Sequence, residues 1–123
     1  MSHFTRIRTK MAEKEYILNA LDDLGYPYQD GGKVGGWRGN TVQAEFKVTS
    51  NRPGYDIGFV KTADNYEMVA DWSMIGDPKF MERLTQRYAY HTTRAKLASQ
   101  GFTLVTEENQ QDGRIHLLVR RVV

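Results

Sequence analysis

Three histidines, His3, His91 and His116, are the first residues to weigh for metal binding or proton transfer. No two of them stand at H-x-x-x-H or H-x-H spacing, so a histidine metal site would need the fold to gather them from distant segments. His91 falls on the apolar stripe of a helical segment and reads as a core or hydrogen-bonded imidazole; His116 faces away from Ile115, Leu117 and Val119 and reads as solvated. The chain has no cysteine, which removes thiolate zinc, thiol catalysis, iron–sulfur ligation and disulfides.

Carboxylates offer the next chemistry. Alternation along the strand-like segments sets Glu45, Asp56, Glu67 and Asp71 on one sheet face with Arg114, His116 and Arg120. Two acids held together there would suit general acid–base work or a divalent cation. The favoured reading is a tiling of cross-strand ion pairs, each worth about 0.2–1 kcal/mol. Asp71, between Ala70 and Trp72, is the first carboxylate to test. The glycines at 31, 32, 35, 36 and 39 lie between strand-like segments, whereas a phosphate loop needs its G-x-x-x-x-G-K-[ST] string between a strand and a helix. Trp37 beside Arg38 in that stretch is a candidate for partner contact, since aromatic and arginine side chains dominate interface hot spots; a tryptophan folded back on the body is the alternative.

The clearest surface pattern is Arg83, Arg87, Tyr90 and Arg94, whose steps of four, three and four residues form a basic band on one helix edge. Like charges four residues apart repel unless something compensates. Residues 77–98 hold five bases and two acids, whereas residues 12–30 hold one base and five acids. The net charge of +2 therefore hides a dipolar surface, onto which an acidic protein, a phosphate backbone or the acidic helix of a second copy could dock.

The elements that must position these groups follow from periodicity. Residues 3–9 suggest a strand, and Ile17, Leu18, Leu21 and Leu24 predict a helix over 12–24 that stops at Gly25. Pro27 to Asn40 reads as a mobile connection. Val42, Ala44, Phe46 and Val48 alternate with Gln43, Glu45 and Lys47 as one strand, and residues 56–61 and 66–72 form a hairpin closed by Ala63-Asp64-Asn65. Asp77-Pro78 opens a long helix with Phe80, Leu84, Tyr88, His91, Ala95 and Ala98 as its buried stripe, ending at Gly101. Residues 102–106 and 114–122 are the last strands. Leu21, Gly25 and Tyr26 are echoed by Leu97, Gly101 and Phe102, and each set precedes an Asp-Gly turn.

The expected fold is α+β: a mainly antiparallel sheet with two helices on one face, built as two β-α-β-β pseudo-repeats plus an extra strand, the other sheet face open and polar. With 123 residues, residues 1–123 form one domain by size. No run approaches a membrane span of about 20 apolar residues, and the N-terminus lacks the apolar stretch of a secretory signal, so a soluble chain in a reducing cytoplasm is expected.

Several strings also resemble one family. Met1-Ser2-His3-Phe4-Thr5, Leu24-Gly25-Tyr26, Tyr55 to Val60 (YDIGFV), Tyr66 to Asp71 (YEMVAD), Gln86 to His91 (QRYAYH) and Asp112-Gly113 are similar to the hypothetical plastid reading frame 35 family, or DUF1257 family, of cyanobacteria and algal plastids. The resemblance spans essentially the whole chain, implies a cyanobacterial-type cytoplasm or a plastid stroma, and carries no catalytic assignment. Its strings fall on Asp56, Glu67, Asp71, Arg87, Tyr88, Tyr90 and His91.

The combined reading is a small non-enzymatic module that binds a protein partner or self-associates through the basic helix edge and the open sheet face. Arg83, Arg87, Tyr90, Arg94, Trp37 and Arg38 are its contact residues, and Asp56 and Asp71 its polar support. Nucleic-acid binding through the same arginines with Tyr90 and Trp37 stacking is the alternative, ahead of a small-ligand or metal enzyme using Asp56, Asp71 and His91. No cofactor or metal is expected.

Overall fold

In the computed structural model, residues 4–35, 41–50, 52, 54–109 and 114–121 are described. Two helices carry the apolar spacing read from the sequence. Helix α1 (Lys14–Leu24) buries Ile17, Ala20 and Leu21, a three- and four-residue rhythm that puts one stripe against the sheet. Its last carbonyls are closed by Gly25 N–H to Asp22 and Tyr26 N–H to Leu21. Helix α2 (Phe80–Ser99) begins three residues after Asp77. The Asp77 carboxylate still serves the entrance, with Oδ1 accepting the Lys79 N–H at 3.0 Å.

Five strands form an antiparallel sheet in the order β1 (Phe4–Arg8), β7 (Tyr66–Asp71), β6 (Ile57–Lys61), β5 (Phe46–Val48) and β2 (Tyr28–Asp30). Phe59 opposes both Phe46 and Met68, and the Phe46 and Phe59 rings stack at 4.6 Å. These residues, with Val48, Ile57 and Ala70, meet Ile17, Ala20 and Leu21 of α1 and Phe80 and Leu84 of α2 in one core. Both helices thus cover one sheet face, and the antiparallel α+β class read from the sequence is the observed one.

Two features depart from the expected layout. The Pro27–Asn40 stretch contains β2 and a further strand, β3 (Lys33–Gly35), and the alternating segment 42–48 is divided between β4 (Thr41–Gln43) and β5. Strand β4 pairs with β3 as a separate hairpin, while β5 belongs to the main sheet. Gly31 and Gly32, both at positive φ, turn the chain so that Gly31 N–H bonds to Glu45 and Ala44 N–H to Gly32. The second sheet face is consequently not open at its centre. The β3–β4 hairpin lies over Gly58, where an added Cβ would stand 2.8 Å from a Val34 methyl, and Val34, Ala44 and Val69 are all buried.

The second departure concerns the chain after α2. Strands β8 (Phe102–Asn109) and β9 (Ile115–Arg121) pair with each other as a two-stranded sheet, with a register shift between Leu104 and Thr106. The β-α-β-β order therefore recurs, as β1-α1-β2-β3 and β7-α2-β8-β9, but the two units differ in the sheets they join. After α1 the next strand joins the main sheet; after α2 it does not. Helix α2 lies between two layers, with Phe80 and Leu84 in the main core and Leu97 and Ala98 beside Phe102, Leu104 and Val119 of the hairpin. Divided burial explains why the expected stripe is incomplete: Tyr88 and His91 are only half-buried, whereas Tyr90 is buried.

Candidate functional site

The arginines at 83, 87 and 94 project from α2 toward different neighbours. Arg83 Nη1 lies 3.9 Å from Asp77 Oδ2 and stays mostly exposed. Arg87 reaches back to α1, with Nε at 2.9 Å and Nη2 at 2.8 Å from Asp23 Oδ2. Arg94 Nη1 donates to the Tyr90 hydroxyl at 2.9 Å. The basic band is thus compensated in part within the chain, which answers the repulsion its spacing would otherwise carry.

Tyr90 departs from the exposed edge position that its spacing implied, with 8 % of its surface accessible. The β8–β9 hairpin packs over this side of α2, and Glu107 of β8 hydrogen-bonds the hydroxyl. The Arg87 and Arg94 guanidinium carbons lie 4.3 and 5.6 Å from the centre of its ring. That geometry favours cation–π attraction. Burial, followed by the Glu107 hydrogen bond, pushes the phenol above its usual range against the opposing effect of Arg94.

His91 completes the link to α1, with Nε2 2.6 Å from the Asp23 Oδ2 that Arg87 also uses. Burial raises the Asp23 carboxyl, but the hydrogen bonds from His91 and Arg87 outweigh it and hold the group below the usual carboxylate range. One oxygen shared by two α2 side chains is the geometry of a clamp between helices. Tyr88 adds a second fastening, its hydroxyl accepting the Ala12 and Glu13 N–H groups at 3.0 and 3.2 Å just before α1 begins. Asp77 is likewise depressed, first by the Tyr26 hydroxyl at 2.7 Å and then by the Lys79 N–H and Arg83.

The carboxylates expected on the second sheet face each hold a partner of their own. Asp56 lies 3.6 Å from Lys47 Nζ, and Glu67 faces Arg6 at 3.2 Å and Arg8 at 3.7 Å. Glu45, expected on that face, instead turns to the helix side, where it lies 3.9 Å from Lys14 Nζ of α1 and accepts the Tyr66 hydroxyl at 2.6 Å; burial with this bond pushes Tyr66 well above the usual phenol range. Asp71, expected on an open face, is 2 % exposed and accepts the Ser73 hydroxyl at 2.7 Å. Among the described residues no three His, Asp or Glu side chains are placed to hold a metal ion. Trp37 and Arg38 lie outside the described residues.

Sequence reasoning missed the outer face of the β8–β9 hairpin, where Val105 and Leu118 are 47 % and 57 % exposed. A signal was present: in the run Leu117-Leu118-Val119 one residue must point away from its neighbours' face, because a strand alternates sides. Leu117 and Val119 turn toward α2 and Leu118 turns outward. Beside them a cavity of about 260 Å³ opens between α2 and β9, lined by Gln86, Ala89, Tyr90, Thr93, Ile115 and Leu117 together with Arg114. A more polar cavity of about 480 Å³ lies where α1 ends and α2 begins, with Tyr26, Thr49, Ser50, Asp77 and Arg83 on its walls.

The family described as "Protein of unknown function (DUF1257)" matches residues 20–118. An uncharacterized protein ycf35 from Cyanophora paradoxa is 34 % identical, with 98 % of each chain covered. Its counterparts from Pyropia yezoensis and Guillardia theta are each 32 % identical over the same share of both chains. No solved structure matches. A family match over most of the chain and relatives at this identity along its whole length agree, and the chain belongs to the DUF1257 family.

Proposed function

We propose that this chain is a non-enzymatic protein-binding module whose contact surface is the end of the molecule formed by α2 and the β8–β9 hairpin. The observation that carries this reading is the pair Val105 and Leu118, large apolar side chains left exposed on a hairpin that stands apart from the main sheet. Arg94 and Arg120 border the same end and are exposed. An apolar centre with a charged rim is the composition of a protein–protein interface. Arg83 at the far end of α2 extends the basic edge, and Arg87 supports it from within by holding α1 in place. The internal bonding of Arg87 and Arg94 and the burial of Tyr90 favour a protein partner over a nucleic acid, which needs free cations and open aromatic faces. The ycf35 relatives support action in a cyanobacterial-type cytoplasm or a plastid stroma.

The test is reconstitution. A partner co-purified with the tagged chain from its native cell is expressed separately, mixed with wild-type chain or Leu118→Glu, and weighed by light scattering. A defined complex that Leu118→Glu weakens at least about tenfold is expected for a central apolar contact. A partner that binds Leu118→Glu as tightly as wild type, or a wild-type chain that forms no complex with any purified candidate or with itself, overturns the reading.

A further inference from the structure

Strand β9 is occupied along one edge only among the described residues, since β8 is its single ladder partner. Alternate residues of a paired strand turn their N–H and C=O groups away from the partner, so the second edge offers a row of donors and acceptors. Among the described residues the 260 Å³ cavity is lined by α2 and β9 and by none of β8, which sets it toward that second edge. Ala89, Ile115 and Leu117 make its floor and walls apolar, with Gln86 and Thr93 at its margin. An edge with an adjoining apolar groove is the arrangement that binds an extended segment by strand addition, main chain to the edge and alternate side chains to the groove.

The charge of β9 limits what that segment can be. His116, Arg120 and Arg121 lie on the strand, and Ile115–Arg121 contains no acid. The edge that is already filled shows the pattern β9 accepts. On β8, Leu104 stands opposite Val119 on the side toward α2, and Glu108 stands opposite His116. Glu107, opposite Leu117, turns toward α2 and bonds Tyr90. The segment that complements β9 is therefore apolar opposite Val119 and acidic opposite Leu117 and His116.

Resting on the protein-binding reading above, we propose that the groove between α2 and β9 receives an extended, acidic segment of a partner protein as an added strand on the second edge of β9. The probe is a labelled peptide that copies Phe102–Asn109 (FTLVTEEN), titrated with the full chain and followed by fluorescence anisotropy. Saturable binding is expected that weakens with added salt and falls about tenfold when both glutamates of the peptide are lysines, the size of effect that desolvated charge pairs produce at interfaces. Thr93→Trp and, independently, Ala89→Arg fill the groove from exposed positions of α2, so either one that keeps the wild-type melting curve must reduce binding similarly.

Equal binding of the lysine peptide, or unchanged binding in a folded groove variant, overturns the proposal; the latter result would mean that the peptide had displaced β8 from the first edge. A chain that self-associates through the groove, read as a dimer by light scattering that Thr93→Trp dissolves, overturns it in favour of a second copy. A single-stranded oligonucleotide that displaces the peptide from the wild type overturns it in favour of a polyanion. If the peptide fails while the reconstituted complex still depends on Leu118, the strand-addition proposal falls and the protein-binding reading stands.

Discussion

Asp23 Oδ2 takes a hydrogen bond from Arg87 and another from His91, so a single carboxylate oxygen ties the end of α1 to the middle of α2. Its depressed carboxyl, like that of Asp77, contributes stability that is fully present above the ordinary carboxylate pKa and is lost as pH falls through the lower folded value. Asp23→Asn should cost about 1–2 kcal/mol near neutral pH, a charged-hydrogen-bond value discounted for partial exposure, and should flatten the acid limb of stability against pH. Urea midpoints of both proteins across the acid range check this; parallel profiles would remove Asp23 from the linkage. Arg87 and His91 were singled out by helical spacing, but Asp23 was visible only as one charge in an acidic region. Nothing in local periodicity connects residues 64 and 68 positions apart. Tyr90 was misplaced for a related reason: the layer that buries it comes from later in the chain.

At the scale of elements, the alternation of 42–48 was legible and the change of sheet within it was not. A strand that leaves one sheet for another keeps its two-residue period, so β4 and β5 together look like one strand. The hairpin they complete decides what Gly58 is for. With Val34 Cγ2 only 2.8 Å from where a Cβ would stand, Gly58→Ala should destabilise by about 1–3 kcal/mol through overpacking. Val34→Ala in the same chain should recover much of that loss, since it shortens the side chain that blocks the site. Denaturant unfolding of the two single variants and the double variant reads the coupling; additive losses would show that the hairpin does not press on β6. The helices were the best-read elements, because their stripes face a core within reach of local spacing, as Ile17, Leu21, Phe80 and Leu84 do.

Across the whole molecule, the nearly neutral charge is divided rather than absent, and part of the division is consumed in holding α1 to α2. Sheet order sets a gradient of local stability on top of this. Strands β6 and β7 lie inside the five-stranded sheet under both helices, whereas among the described residues β8 and β9 form a ladder only with each other, against one side of α2. Two-stranded ribbons are marginal by themselves, so amides of β8 and β9 should exchange with solvent through local opening well before those of β6 and β7. Hydrogen exchange read residue by residue tests this, and equal protection in the two sheets would contradict it. The hairpin would then be ordered by the same cooperative unit as the core. The joint at Ala44 and Glu45, where the chain passes from the small hairpin into the main sheet, has a bearing on chain length. One residue gained or lost there would turn Phe46 and Val48 out of the core while leaving the β3–β4 pairing intact. Chain length at that joint is therefore tied to the register of two sheets at once, and a change of length is better absorbed in segments that hand no strand from one sheet to the next.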